Sequence, residues 1–268
     1  MAQKKKPVTP VKKPFYRGKP TDGNTLKNAA IFFGMILVIS FMSFLVCSMT
    51  SAGSQLLRTA LNLVIFALIQ MIYYQRGLNI GTDTVAKSET IYQRLEKGLA
   101  VSETEKAVCY HPLKGFITAV LGTVPMLIPA VILALTAEKT ITGYGTLPGW
   151  MEGYLRRSEV GDALVAYTVS GTVGAVDIIR VLMRVVMMPL VSMIGSDASD
   201  LTLLLERLSP LVMLIPAVSY GFGYTRGESV RTRIHTEIAE NAALRKRREM
   251  KKRRKRMENK PKGPAQLN

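Results

Sequence analysis

The sequence predicts an all-α integral membrane protein with four transmembrane helices and both ends cytoplasmic. An outer-face amphipathic or re-entrant helical segment and disordered-to-helical basic tails complete the expected fold. Three observations lead there. The 268-residue chain is 48% apolar yet carries a formal net charge of +17, and the two properties are segregated rather than interleaved. Several apolar stretches reach the roughly 20 residues a helix needs to cross the hydrocarbon core. The Lys and Arg residues gather at the two ends, so a mean hydropathy of only +0.17 conceals strongly apolar blocks.

Residues 1–27 hold eight Lys/Arg against one acid, too polar and basic for a cleaved signal peptide. The first crossing follows, within the charge-free run Asn28–Leu57. The second, TALNLVIFALIQMIYY, closes on Tyr73–Tyr74, an aromatic pair suited to a membrane interface. Residues 28–75 therefore read as a transmembrane hairpin. In it, Asn62 and Gln70 lie on roughly one face and are expected to hydrogen-bond to neighbouring helices.

Residues 76–114 are expected to form a cytoplasmic loop folded as a small helical hairpin. Tyr92, Leu95 and Leu99 share a face, and Ser102-Glu-Thr-Glu105 has the capping-box pattern. The third crossing is 115–137. The fourth, 208–224, ends in the aromatic, Gly-rich collar SYGFGY.

Between them, 138–207 is assigned to the outer face. Tyr144, Trp150 and Tyr154 flank a turn-rich stretch there, as interfacial anchors would. The hard segment is 160–194, which is apolar but carries Asp177, Arg180 and Arg184 at helical spacings i, i+3 and i+7. An Arg at the bilayer centre costs roughly 2.5–3.5 kcal/mol, and about ten aliphatic neighbours return a similar sum. Energy leaves the crossing undecided; parity decides it. The C-terminal segment 225–268 carries fifteen Lys/Arg against five acids. The positive-inside rule then puts both ends in the cytoplasm and makes the number of crossings even. Four crossings follow, with the Asp177/Arg180/Arg184 stripe wet at the outer interface or, alternatively, lining a path. Glu206–Arg207 reads as an interfacial pair at a helix start.

No catalytic motif is present: no Walker A loop, no GxGxxG, GxSxG or HExxH. Cys109-Tyr-His111 lacks the second ligand pair a zinc site needs. Neither Cys47 nor Cys109 suggests a disulfide framework. No catalytic residue, cofactor or metal is assigned, and a non-enzymatic protein is expected. An enzyme of lipid or envelope precursors ranks third.

The strongest functional signal is the C-terminal tail. Glu228–Leu244 reads as a helix with Val230, Ile234 and Ile238 on one strip. Beyond it Arg245, Lys246, Arg247, Arg248, Lys251, Lys252, Arg253, Arg254, Lys255 and Arg256 place ten basic residues in twelve. Such a segment must stay solvated or meet polyanions. The partners it fits are the lipid bilayer's anionic headgroups, an acidic protein, or RNA and the ribosome. Aromatics for base stacking are absent from it. The first functional expectation is thus an accessory, scaffold or assembly factor of the cytoplasmic membrane. The alternative is a small transporter or channel subunit using Asp177, Arg180 and Arg184. With four crossings it would need to oligomerise to enclose a path, and whether the chain oligomerises is left open.

The hexapeptide MLIPAV occurs at Met126–Val131 and again at Met213–Val218. Aligning the copies matches almost nothing in their flanks, which favours coincidence over duplication. Pro129 and Pro216 each remove an N–H from a helix ladder, so kinks are expected in the third and fourth crossings.

Overall fold

A computed structural model describes residues 10–49, 54–137, 152–155, 157, 174–194 and 199–258. Among them there is no strand. The helices are α1 (Thr25–Met49), α2 (Gln55–Glu96), α3 (Glu103–Val108), α4 (Lys114–Thr136), α5 (Glu152–Leu155), α6 (Ala175–Val186), α7 (Met188–Ile194), α8 (Ser199–Arg207) and α9 (Ser209–Glu258). Three of them, α1, α2 and α4, are long and apolar enough to cross a membrane. A fourth candidate arises if α8 and α9, bent by 58°, count as one span. Tyr144, Trp150 and the first half of the 160–194 segment lie outside the described residues.

The outward faces of these helices are apolar. Val38, Phe41 and Met42 on α1, Leu63, Val64 and Leu68 on α2, and Ile128 and Leu135 on α4 are all exposed. Exposed large apolar side chains in such number suit contact with lipid better than contact with water.

The largest departure from expectation is α2. It does not stop at Tyr74 but continues to Glu96, 42 residues in all, so about half of the expected loop at 76–114 is the second half of one helix. The reason is local: no proline occurs between Gln55 and Glu96. The buried positions past Tyr74 are Gly77, Gly81, Val85, Ser88, Glu89 and Ile91, a helical face in which small and polar residues outnumber apolar ones. The helix ends where a Schellman motif forms. Gly98 adopts φ +70°, its N–H donates to the Leu95 carbonyl, and the Leu99 N–H donates to the Arg94 carbonyl. The capping box forms as the sequence implies, with the Glu105 carboxylate accepting from the Ser102 N–H and the Ser102 hydroxyl accepting from Thr104.

The same continuity joins the expected fourth crossing and the Glu228–Leu244 helix into α9, 50 residues long. Its start is sharp because Pro210 has no N–H with which to prolong α8. Pro129 and Pro216 both lie inside uninterrupted helical spans, α4 and α9.

Contacts fix the relative directions. Gln70 lies beside Ser219, Gly77 beside Tyr220, Gly81 beside Tyr224 and Glu89 beside Arg231, so α2 and α9 run parallel. Gly115 meets Tyr224 while the Ser209 hydroxyl donates to the Ala130 carbonyl, so α4 runs antiparallel to α9. Gly122 packs on Ala29 and Phe32 of α1. The core that results includes Phe32, Tyr73, Met126, Ala130, Met213 and Ala217. The two MLIPAV copies thus place their Met and Ala in one shared cluster. In each copy Ile and Val point outward: Ile128, Val131, Ile215 and Val218 are exposed. They solve the same packing problem from opposite helix directions.

At the polar end the N-terminal residues are neither helical nor detached. Residues 10–19 form a strap without regular secondary structure, in keeping with Pro10, Pro14 and Pro20, and 20–24 bend into the start of α1. Its Tyr16 and Gly18 N–H groups donate to the carbonyls of Ser88 and Tyr110. The Val11 N–H donates to Thr236 Oγ1, and Lys12 pairs with Glu228 at 2.7 Å.

Candidate functional site

Two clusters of buried charge divide the molecule. The first contains the residues the sequence singled out. Asp177, Arg180 and Arg184 do share one face of α6, and that face turns inward onto α8. Arg184 donates to Glu206 Oε1 at 2.6 Å, and Arg180 donates to Asp177 Oδ1 at 3.2 Å. Arg180 Nε sits 3.5 Å from Glu206 Oε2, an ion pair without hydrogen-bond geometry. Arg180 is 5% exposed and Glu206 1%. The partner of the stripe is therefore Glu206, which sequence reasoning had attached to Arg207. Two cations and two carboxylates make the group formally neutral. Its chemistry is that of a clamp tying α6 to α8.

The second cluster lies at the opposite, polar end, where α2, α9, α3 and the strap converge. Glu89 of α2 accepts from both Nε and NH2 of Arg231, at 3.1 and 3.0 Å, and its other oxygen lies 2.8 Å from His235 Nε2. Both acceptors and donors are largely buried, so the pairing locks α2 to α9 one to two turns beyond their glycine contact. Tyr110 stacks on Tyr224 with ring centroids 5.4 Å apart, and Phe15 of the strap meets Tyr110 edge-on at 5.8 Å. The Tyr110 hydroxyl donates to the Thr225 carbonyl. Burial, reinforced by Glu228 and opposed by Arg17, pushes this phenol up to about 12.

Lys114, at the start of α4, is buried with Asp22. The ion pair measures 3.0 Å, and Lys114 Nζ also donates to the carbonyls of Ala107 and Cys109. Burial alone would raise the Asp22 carboxyl. The hydrogen bonds from Thr25 and Lys114, and the Lys114 charge, outweigh it and hold Asp22 below its ordinary range.

Cys109 Sγ donates to the Glu105 carbonyl and His111 Nδ1 accepts from the Leu113 N–H, and among the described residues no group of three or more His, Cys, Asp or Glu could hold a metal ion. Asn62 and Gln70 both turn to protein. Asn62 donates to the Arg58 carbonyl of its own helix, and Gln70 accepts from Ser219 of α9.

The third feature is the basic arm. Beyond Ile238 every described residue of α9 through Lys255 is exposed, so Arg245–Lys255 presents its cations all round one helix. Its root is the Glu89 lock. The backbone of Arg256 is helical as well.

Compared with known proteins, the chain matches no family model, no curated protein and no solved structure.

Proposed function

We propose that this chain is a non-enzymatic membrane scaffold that holds a basic helical arm in the cytoplasm to engage a soluble polyanion. The observation that carries the reading is the continuity of α9 from Ser209 through Glu258, clamped to α2 by Gly227 and by Arg231 and His235. The topology is the one the charge distribution favours, four crossings with both ends inside.

Geometry sharpens the choice of partner. Arg245 lies 21 residues beyond Tyr224, the end of the expected crossing, or about 30 Å along an α-helix. Tilting by 40° leaves more than about 20 Å, whereas screening at physiological salt acts over about 8 Å. Headgroups at that distance exert little pull, so the arm's cations are presented to the solvent side. Ten basic residues within twelve positions of one long helix, with no stacking aromatics, match the phosphate backbone of structured RNA without base selectivity.

The test uses the full chain in nanodiscs of neutral lipid, titrated with a fluorescent RNA hairpin. Binding should weaken steeply with salt and fall at least tenfold when the basic residues of 245–256 become Gln. If instead the chain ignores the RNA and only tethers anionic vesicles, the arm is a lipid anchor. Binding of an acidic polypeptide in preference to RNA would assign the partner to protein.

The transporter alternative through Asp177, Arg180 and Arg184 has less support, because these charges neutralise one another with Glu206.

A further inference from the structure

A cavity of about 360 Å³ opens at the polar end between the first turns of α1 and α4, the middle of α2 and Tyr220 and Tyr224 of α9. Its volume falls in the lower range of small-ligand sites. Four cations line it. One of them, Lys114, has its charge met by Asp22 and its protons by Asp22 and two carbonyls, so that pair forms a neutral floor. The other three, Lys27, Arg76 and Lys87, carry no ion pair among the described residues, and all are exposed at the cavity's walls. One carboxylate there, Asp83, is likewise unpaired. The local excess is therefore two positive charges. The N-terminal ends of α1 and α4 add their partial positive charges, since the first turns of both helices line the same space.

The depth of this cavity is set by the sequence around it. The apolar run of α1 starts at Ala29, that of α2 ends at Tyr74, and that of α4 starts at Gly115. Asn28, Arg76 and Gly115, at or within two residues of these boundaries, line the cavity, which sets it at the level of the phosphates when the apolar runs fill a bilayer. Lys27 comes from α1, and Arg76 and Lys87 from α2, so the cavity offers several separate donors, as an anion with several acceptor oxygens requires.

We infer that this cavity binds a phosphate ester: the headgroup phosphate of an anionic phospholipid, or a soluble phosphate monoester of the same chemistry. The site is separate from the basic arm and does not depend on what the arm binds.

The experiment is native mass spectrometry of the purified full chain in a mild detergent, supplied with phosphatidic acid or phosphatidylcholine. Wild-type protein should retain one phosphatidic acid per chain and little phosphatidylcholine. The triple variant Lys27→Gln/Arg76→Gln/Lys87→Gln should retain at least tenfold less. The charge-conserving variant Lys27→Arg/Arg76→Lys/Lys87→Arg should retain it near the wild-type level, which separates lost charge from lost fold. Asp83→Asn should tighten retention. Glycerol 3-phosphate at millimolar concentration distinguishes the sources. Displacement of the lipid assigns the site to a soluble ester, and persistence assigns it to the headgroup. Equal retention by the Gln variant, equal retention of phosphatidylcholine, or loss only when the 245–256 arm is neutralised would each overturn the inference.

Discussion

Gly227 of α9 lies so close to Gly81 of α2 that a Cβ on Gly227 would meet the Gly81 backbone and come 2.6 Å from the Thr82 amide nitrogen. The relation is reciprocal along the seam. A Cβ on Gly77 would reach 2.9 Å from the Tyr220 carbonyl carbon, and one on Gly223 the same distance from that of Tyr74. Each helix thus carries a small-xxx-small pair, Gly77/Gly81 and Gly223/Gly227, facing the other. Backbone cannot move aside as a side chain can. Ala at Gly227 gains about 1 kcal/mol of helix propensity, yet the overlap must push two long helices apart. We expect Gly227→Val to destabilise by about 2–3 kcal/mol or more. Gly34→Ala, where nothing lies within 4 Å, should be neutral or stabilising. Thermal melts of the purified proteins compare them; equal melting of Gly227→Val and wild type would refute the close seam.

Glu206 neutralises two arginines, so its removal is worse than removal of the whole group. Glu206→Gln leaves Arg180 and Arg184 buried around a neutral amide and should cost about 3–5 kcal/mol. Replacing Arg180, Arg184 and Glu206 together by Met, Met and Leu leaves no unpaired buried cation and should cost clearly less. The readout is the melting temperature of both variants in the same detergent. A single variant that melts no lower than the triple would show that the cluster is not a clamp between α6 and α8.

The Asp22–Lys114 pair predicts an acid limb in the stability profile. Asp22 has a folded value below its ordinary 3.8. Its contribution is therefore complete above that value and is lost as pH falls through the lower, folded one. Asp22→Asn should be less stable than wild type at pH 6, with the difference shrinking as pH drops below about 4. A gap that stays constant down to pH 2 would show that the carboxylate's charge is not what stabilises this end.

How much of this was legible beforehand differs by element. The apolar blocks set α1, the first half of α2, α4 and the start of α9, because being long and apolar enough to cross a bilayer is a matter of length and composition alone. The capping box at Ser102 and Glu105 was legible for the same reason: it is local. The second half of α2 was not. Its inward face mixes Val85 and Ile91 with Gly77, Gly81, Ser88 and Glu89, too few apolar positions for a sustained stripe, so the segment reads as a short helical hairpin rather than one long helix. The helix survives because that face is matched by Gly223, Gly227, Arg231 and His235, 142 to 146 residues away at Glu89. The stripe on α6 was found, but Glu206 was not assigned to it, since spacing reveals faces and not partners. The strap is the extreme case: residues 10–19 look like a basic tail until Ser88, Tyr110 and Thr236 supply their acceptors.

The two thiols should be silent in the folded protein. Cys47 lies inside α1 at 1% exposure and Cys109 at 0%. Burial also pushes the Cys109 thiol up, which lowers its thiolate fraction further. A maleimide reagent should label neither in mild detergent and both after denaturation in dodecyl sulfate, counted by intact mass. Rapid native labelling of Cys109 would mean that the strap and the α3–α4 turn do not cover it.

Silent native thiols make a reporter cysteine on the arm selective, and the arm's stiffness is then open to direct measurement. Met250 is exposed in the middle of the basic run, so Met250→Cys carries a fluorophore without disturbing a contact. In nanodiscs containing anionic lipid and a headgroup quencher, a continuous α9 keeps that fluorophore tens of Å from the surface, and quenching should be weak. Ala242 is also exposed, and a proline there removes one N–H and breaks the ladder between the Glu89 lock and the basic run. Ala242→Pro leaves every charge in place but frees the run to fold back. Each Lys or Arg reaching the surface then gains on the order of 1 kcal/mol, and quenching should rise severalfold, reversibly with salt. Strong quenching in the unbroken chain would place the arm on the bilayer and favour a lipid anchor over the proposed docking rod.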